Sequence, residues 1–227
     1  MKNYLIPLLV TAAVAVVSAS PFSEAFTPLK LADQAAQKPD FAKYRAGLMQ
    51  VIQNRDAEGL KTCLSPQIHY SFGLEKPGIP GFYAVWKPAN KNSPLWKELA
   101  QVVNNGGSFE KSGEFTAPSW YANWPQGKDE SEWGVISDAA VPVYFEPKSG
   151  GKTLPEIGKC WVQINQNEAN QRDRKFTCID LPKSMQDPYK VESVFVKSEQ
   201  VHRLLDYRAV FAKNKGRWQM VSFIAGD

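Results

Sequence analysis

The sequence predicts an α+β fold, with a mainly helical domain over residues 39–130 followed by a small antiparallel β-barrel over residues 131–227. Before residue 127, apolar residues recur with the spacing of amphipathic helices. After Trp133 the period changes to that of short strands separated by polar or Pro/Gly-containing connectors. Many short strands within about a hundred residues are typical of a small barrel.

The first nineteen residues carry the pattern of a cleavable export signal. Lys2 supplies a positive head, residues 5–17 are mostly apolar, and Val17-Ser18-Ala19 places small residues at the cleavage position. A transmembrane helix needs about 20 apolar residues, which this run does not reach. Residues 1–19 are therefore predicted to be a signal peptide, with a retained anchor as the alternative. The mature protein is expected to be periplasmic or secreted, with no transmembrane segment.

Capping residues and apolar spacing together predict the N-terminal helices. Residues 20–38 show little periodicity and are expected to form a flexible lead. Asp40 and Asp56 are each placed as the N-cap of a helix. A third helix is expected to begin at Ser93-Pro94 and to end at Gly106-Gly107. The apolar faces of the first and third helices comprise Phe41, Tyr44, Leu48, Val51, Ile52, Leu95, Trp96, Leu99, Val102 and Val103.

Short β-type runs define the C-terminal half. They are residues 135–145, 160–164, 176–179, 191–196, 207–211 and 218–224, with one earlier run at 68–72. Lys213-Asn214-Lys215-Gly216 is a typical hairpin turn between the last two. Both faces of the last strand carry apolar groups, so this strand is expected to be covered on two sides, with Trp218 in the core.

Two cysteines flank a polar stretch that is interpreted as a hairpin tip. Cys160 and Cys178 lie on either side of residues 165–174, and an exported protein enters a compartment where disulfides persist. We therefore predict a Cys160–Cys178 disulfide across the hairpin. Cys63 is interpreted as a buried apolar thiol.

Composition and motifs exclude several function classes. The formal net charge is +4, falling to +3 if Lys2 is removed, and charges of both signs are interspersed, which disfavours nucleic acid as a partner. His69 and His202 are the only histidines, and neither has the spacing of a zinc site. His69 is interpreted as a surface or strand-edge residue, and His202 as a loop residue. The sequence predicts no metal and no cofactor.

An aromatic stretch is the leading candidate for a ligand-binding site. Trp120, Tyr121 and Trp124 lie within five residues, next to prolines. One interpretation is packing between the helical part and the barrel. The other is a platform that stacks against a sugar ring or holds an extended peptide. Carboxylates at Asp129, Glu130 and Glu132 fall in what is interpreted as a solvated linker.

A set of short motifs is spread over most of the predicted mature chain. They are Ser71-Phe72-Gly73, Phe82, Trp86, Leu95-Trp96, Gly106-Gly107, Phe115, Ala117-Pro118, Tyr207-Arg208, Phe211, Gly216-Arg217-Trp218 and Phe223-Ile224-Ala225-Gly226-Asp227. With these motifs the chain resembles exported bacterial proteins that combine a helical N-terminal region with a C-terminal bacterial SH3-like barrel. The resemblance contains no catalytic signature, and it implies an SH3-like barrel over residues 131–227 and an adaptor role in binding peptides or cell-wall stems.

These observations predict a non-enzymatic recognition module for a cell-wall peptide or glycan, or for another envelope protein. The alternative is a cell-wall or envelope hydrolase with a dispersed carboxylate or His-based site. A purely structural or stress-associated envelope protein is the third hypothesis. A pocket that holds two carboxylates or a His–carboxylate pair would favour the enzyme, whereas an aromatic groove without such groups would favour recognition.

Overall fold

The computed structural model describes residues 21–73, 77–167 and 175–226, so the predicted signal peptide lies outside the described residues. The helices are α1 (Pro21–Glu24), α2 (Pro39–Asn54), α3 (Ala57–Cys63), α4 (Ile79–Trp86), α5 (Leu95–Asn104), α6 (Ser119–Ala122) and α7 (Lys183–Tyr189). The strands are β1 (Thr27–Pro28), β2 (Leu64–His69), β3 (Ser108–Phe109), β4 (Phe115–Ala117), β5 (Trp133–Ile136), β6 (Val141–Tyr144), β7 (Thr153–Ile157), β8 (Cys160–Gln163), β9 (Phe176–Asp180), β10 (Ser193–Lys197), β11 (Arg208–Asn214) and β12 (Arg217–Ile224). None of the helices in these ranges is both long and apolar enough to cross a membrane.

The predicted fold class, a helical module followed by a closed SH3-like barrel, is wrong. The strands of the described ranges form three separate sheets, with orders β1-β8-β5, β7-β6-β10-β9 and β2-β12-β11-β4-β3, and none of them closes into a barrel. Helices are spread along the chain, from α1 near its start to α7 between β9 and β10. Apolar alternation identifies a strand but does not identify the strand with which it pairs. For this reason the sequence places the β11–β12 hairpin in a C-terminal barrel, whereas its outer neighbours are β4 and β2 of the N-terminal half.

The five-stranded sheet and helices α2 to α5 share one hydrophobic core. Phe41 of α2 lies at its centre, fully buried, with ring centroids 4.3 Å from Phe115 and 4.9 Å from Trp218. β11 pairs with β4 on one side and with β12 on the other, and β12 also pairs with β2 in parallel. The strands near the C-terminus therefore complete the core of the N-terminal helices.

A β-bulge changes which side chains of β12 face this core. Phe211 pairs with Met220, whereas Val210 pairs with Ser222, so that Val221 has no partner opposite it. A bulge of this kind shifts the alternation by one residue. Phe223 is consequently buried on the same side as Trp218 and Met220, rather than on the opposite side as simple alternation predicts.

A second core lies between the three-stranded and four-stranded sheets. Residues 21–38, which the sequence predicts as a flexible lead, form α1 and β1 and contribute the buried side chains of Phe22 and Phe26 to this core. Phe22 lies edge-to-face against Tyr189, and β1 pairs with β8. The chain then passes to the first core, where Gly107 bridges Asp33. This N-terminal segment thus contacts both halves of the molecule.

The predicted Cys160–Cys178 disulfide is also wrong. Cys63, Cys160 and Cys178 are buried free thiols. β8, which carries Cys160, belongs to the three-stranded sheet, whereas β9, which carries Cys178, belongs to the four-stranded one. Burial raises the pKa of the Cys160 thiol to about 12, so the reactive thiolate is suppressed there.

The register between β8 and β9 explains this error. The two strands meet at a single bridge in the described ranges, between Ile164 and Ile179. Continued as a hairpin, this register would place Cys160 opposite Lys183. The prediction instead pairs Cys160 with Cys178, because it treats residues 165–174 as the symmetric tip of a hairpin. That pairing is shifted by several residues from the register of the Ile164–Ile179 bridge.

Candidate functional site

The predicted aromatic stretch is not a single open groove. Trp120, in the short helix α6, is only 3% exposed. Tyr121 and Trp124 are half-buried. The Tyr121 ring lies against the Arg208 guanidinium at 4.7 Å, while Trp124 packs edge-to-face on Trp161 of β8 at 4.9 Å. The three rings therefore face different neighbours, and ligand binding by Tyr121 and Trp124 stays a prediction.

A lysine occupies the aromatic surface next to Trp124. The Trp124 indole N–H donates to the Lys128 carbonyl at 2.8 Å, which folds this segment back onto the three-stranded sheet. The Lys128 ammonium then lies 2.9 Å from the ring centroid of Trp133 and 5.5 Å from that of Trp161. Partial burial lowers the pKa of Lys128. The Lys128 side chain thus covers the Trp133 indole through a cation–π contact within the same chain.

Trp120 instead contacts His202, which the sequence predicts only as a loop residue. The rings of Trp120 and His202 are stacked, with centroids 5.1 Å apart and planes 16° from parallel. The backbone of His202 exchanges two hydrogen bonds of 2.8 Å with Val135 of β5, which fixes the position of the imidazole. Its Nε2 lies 2.8 Å from the side-chain nitrogen of Gln101 on α5. The His202 side chain is only 13% exposed.

His202 forms part of a pocket between α5 and the segment that precedes β11. We call it the acidic pocket, because Glu98 and Asp206 contribute carboxyl groups to its wall. Its volume is about 330 Å³, which is at the lower end of the range for small-molecule sites. The residues that line it are Lys97, Glu98, Gln101, Ser198, Glu199, Val201, His202, Leu205, Asp206, Tyr207 and Ala225.

The surroundings of the acidic pocket raise the pKa values of Glu98 and Asp206 above those of ordinary carboxyl groups. Partial burial raises the pKa of Glu98, and the charge of Asp206 raises it further, against the opposing effect of Lys97. Burial likewise raises the pKa of Asp206, although this carboxylate accepts a hydrogen bond of 2.8 Å from the backbone N–H of Arg203. Shifted carboxyl groups in a cleft are a physical indication of a binding or catalytic site.

The basic side chains of the pocket, Lys97 and His202, offset little of the negative charge of Glu98 and Asp206. The Lys97 ammonium lies 2.9 Å from the Glu199 carboxylate and forms an ion pair with it. Burial lowers the pKa of His202 and the charge of Lys97 lowers it further, outweighing the opposite effects of Asp206 and Asp138, so the imidazole is neutral at pH 7. In the described part of the chain, no lysine or arginine lies within ion-pair distance of Glu98.

The structure therefore brings together residues that the sequence analysis did not connect. Glu98 and Gln101 are three residues apart on α5, and His202 and Asp206 are four apart, which are spacings that occur on any helix or turn. The fold joins these two pairs across about one hundred residues. Only Trp120, which stacks on His202, belongs to both the predicted site and the observed surroundings of the pocket. Comparison of the chain with protein-family models, curated proteins and solved structures finds no match.

Stability should depend on the protonation of His202. Its folded-state pKa lies below the ordinary value of about 6.5 that it takes in the unfolded chain, so the unfolded state binds its proton first. The contribution of the neutral imidazole is complete above pH 6.5 and is lost as the pH falls from 6.5 through the folded-state value. We expect the difference in unfolding free energy between wild type and His202→Gln to shrink over this interval. Urea denaturation at several pH values measures it, and a constant difference would contradict the assignment.

Proposed function

We propose that the protein is an exported recognition module that binds an amine-bearing peptide in the acidic pocket. The observation that supports this proposal is the pair of raised-pKa carboxyl groups, Glu98 and Asp206, in one pocket beside a neutral imidazole. An ammonium group would favour the ionised form of both carboxyl groups, which is the form that their surroundings otherwise disfavour. The signal pattern of residues 1–19 supports an envelope location.

The shape and polarity of the pocket fit one end of a chain better than a flat protein surface. Its volume of about 330 Å³ holds a small group, and its wall combines carboxylates with apolar surface from Val201 and Leu205. Tyr207 closes one side, fixed by ring contacts of 5.1 Å with Trp86 and with Phe223. Because these rings belong to the first hydrophobic core, the Tyr207 side of the pocket rests on packed core side chains.

A second candidate, envelope hydrolysis, is favoured by the presence of a His–carboxylate pair in the same pocket. His202 and Asp206 are the partners that a general base and its orienting acid require. Their Nδ1 and Oδ2 atoms are 3.8 Å apart, which is beyond hydrogen-bond distance, and Nε2 faces Gln101. Base catalysis would therefore require His202 to exchange its contact with Gln101 for one with substrate. Binding requires no such rearrangement and is the preferred proposal.

Removing either carboxylate should weaken the binding of an amine. We expect Glu98→Gln and Asp206→Asn each to raise the Kd of a short C-terminally amidated peptide about 10- to 100-fold, since a hydrogen bond to a charged group contributes about 1.5–3 kcal/mol. N-acetylation of the peptide should have a similar effect on wild type. For wild type, affinity should fall as the pH is lowered through the raised carboxyl pKa values. Isothermal titration calorimetry measures these constants.

Glu130→Gln is the matched control, since Glu130 is exposed and does not line the pocket. Its affinity should equal that of wild type. Equal affinity of Glu98→Gln, Asp206→Asn and wild type for the amidated peptide would overturn the binding proposal. Cleavage of a cell-wall fragment by wild type, abolished by His202→Gln and by Asp206→Asn but not by Glu130→Gln, would establish the hydrolase instead.

A further inference from the structure

A second pocket adjoins the acidic pocket and has lysine side chains in its wall. We call it the basic pocket, since Lys175 and Lys197 lie in its wall. Its volume is about 350 Å³, and it is lined by Ser149, Lys175, Phe176, Lys197, Ser198 and Glu199. Ser198 and Glu199 also line the acidic pocket. The two pockets are therefore separated only by the short 3₁₀ turn Ser198–Gln200, whose first two residues face both.

The turn that separates the pockets is fixed in place and adds little charge. The backbone N–H of Ser198 donates to the Lys175 carbonyl at 2.9 Å, and its hydroxyl oxygen accepts from the Thr177 hydroxyl at 3.0 Å. Glu199, the acidic residue of the turn, is paired with Lys97 at 2.9 Å. Along the surface, the side chains thus change from Lys197, through the Lys97–Glu199 ion pair, to the two carboxyl groups of the acidic pocket.

We propose that the two pockets form one groove for a short peptide with both ends free. The amino terminus would bind between Glu98 and Asp206, as in the proposed function on which this inference rests, and the terminal carboxylate would bind at Lys197. The groove thereby selects a zwitterionic ligand over an amine alone. Binding of this peptide makes or breaks no covalent bond.

The shared wall of the two pockets favours a short ligand. Ser198 and Glu199 line both pockets, so a ligand that occupies both has to pass only this turn. An extended peptide advances about 3.3–3.6 Å per residue. We therefore propose a peptide of about two to four residues. Phe176 and Val201 supply apolar walls on either side of the turn for small side chains such as that of alanine.

The test compares alanine peptides of two to four residues that have free ends, an acetylated amino terminus or an amidated carboxyl terminus. On wild type, amidation and acetylation should each weaken binding, amidation by about fivefold, as expected for one partly exposed ion pair. Lys197→Gln should weaken the free peptide to the level of the amidated one and leave the amidated one unchanged. Glu98→Gln should reduce the effect of acetylation. Lys43→Gln, which replaces an exposed lysine of α2, is the control and should bind as wild type does.

The outcomes separate the two proposals. If wild type binds the amidated peptide as tightly as the free one, or if Lys197→Gln still prefers the free peptide by the wild-type factor, the zwitterion groove is overturned while the amine pocket stands. If acetylation also has no effect, the proposed function falls as well. A wild-type protein that binds none of these peptides at millimolar concentration overturns the groove directly.

Discussion

Replacing Trp218 with alanine is expected to lower the free energy of unfolding by about 3–5 kcal/mol, the range found when a large buried aromatic is truncated. The side chain is only 7% exposed, and its ring lies 4.9 Å from Phe41 at the centre of the first core. Its indole N–H also donates to the Asp40 carboxylate at 3.0 Å. Truncation removes both the packing and this bond. Urea or guanidinium denaturation followed by circular dichroism measures the loss.

Two further variants define what the Trp218 result means. Trp218→Phe keeps a ring in the core but lacks the N–H, so its loss should be clearly smaller. Phe72→Ala truncates an aromatic residue that is 54% exposed, and it should change the stability by no more than about 0.5 kcal/mol. If Trp218→Ala proves no less stable than Phe72→Ala, the packing of β12 against α2 is incorrect.

Trp120→Ala is expected to cost a similar amount, about 3–5 kcal/mol, and also to change the acidic pocket. Trp120 is 3% exposed and packs with Leu29, Val135 and Trp161 as well as with His202. Removing it admits water to the imidazole. Because burial is the main cause of the lowered pKa of His202, that pKa should rise towards 6.5.

Chemical denaturation measures the first effect, and titration of the His202 ring protons by NMR measures the second. Trp120→Phe keeps a ring beside the imidazole, so the pKa of His202 should remain low in that variant. A His202 pKa in Trp120→Ala that equals the wild-type value would show that the stacked indole does not exclude water from this residue.

The sequence predicted local structure better than it predicted which distant strands pair with each other. The hairpin of β11 and β12 is confirmed, and so is Asp56 as an N-cap, since its carboxylate accepts from the backbone N–H of Gly59 at 3.0 Å. α5 is confirmed between Ser93 and Gly106, where a positive φ of 69° and the nearby Ala32 carbonyl leave no room for a Cβ. Asp40 is not the predicted N-cap, because α2 begins at Pro39 with Lys38 as its N-cap, and Asp40 therefore lies in the first turn. These features depend on a few adjacent residues.

The barrel, the disulfide and the pocket could not be predicted in the same way, because each depends on which distant segments meet. The sequence cannot show that Phe115 packs on Phe41 and Phe211, or that β11 lies beside β4. The two residues that characterise the pocket most strongly, His202 and Glu98, each have an ordinary explanation within their own segment. Only their meeting across the fold gives them shared chemistry.

The position of β4 beside β11 has a consequence for the order in which the molecule assembles. Ala117 lies opposite Ala209, so the residues between them leave the five-stranded sheet and return to its neighbouring strand. As a free loop, this segment would impose a closure entropy on the first core that grows with its length. If the segment folds first around its own core, its two ends are already close together. We therefore expect early folding of residues 118–208 to speed the pairing of β4 with β11. The folded middle of the chain would then hold its two flanking segments close together while the first core forms.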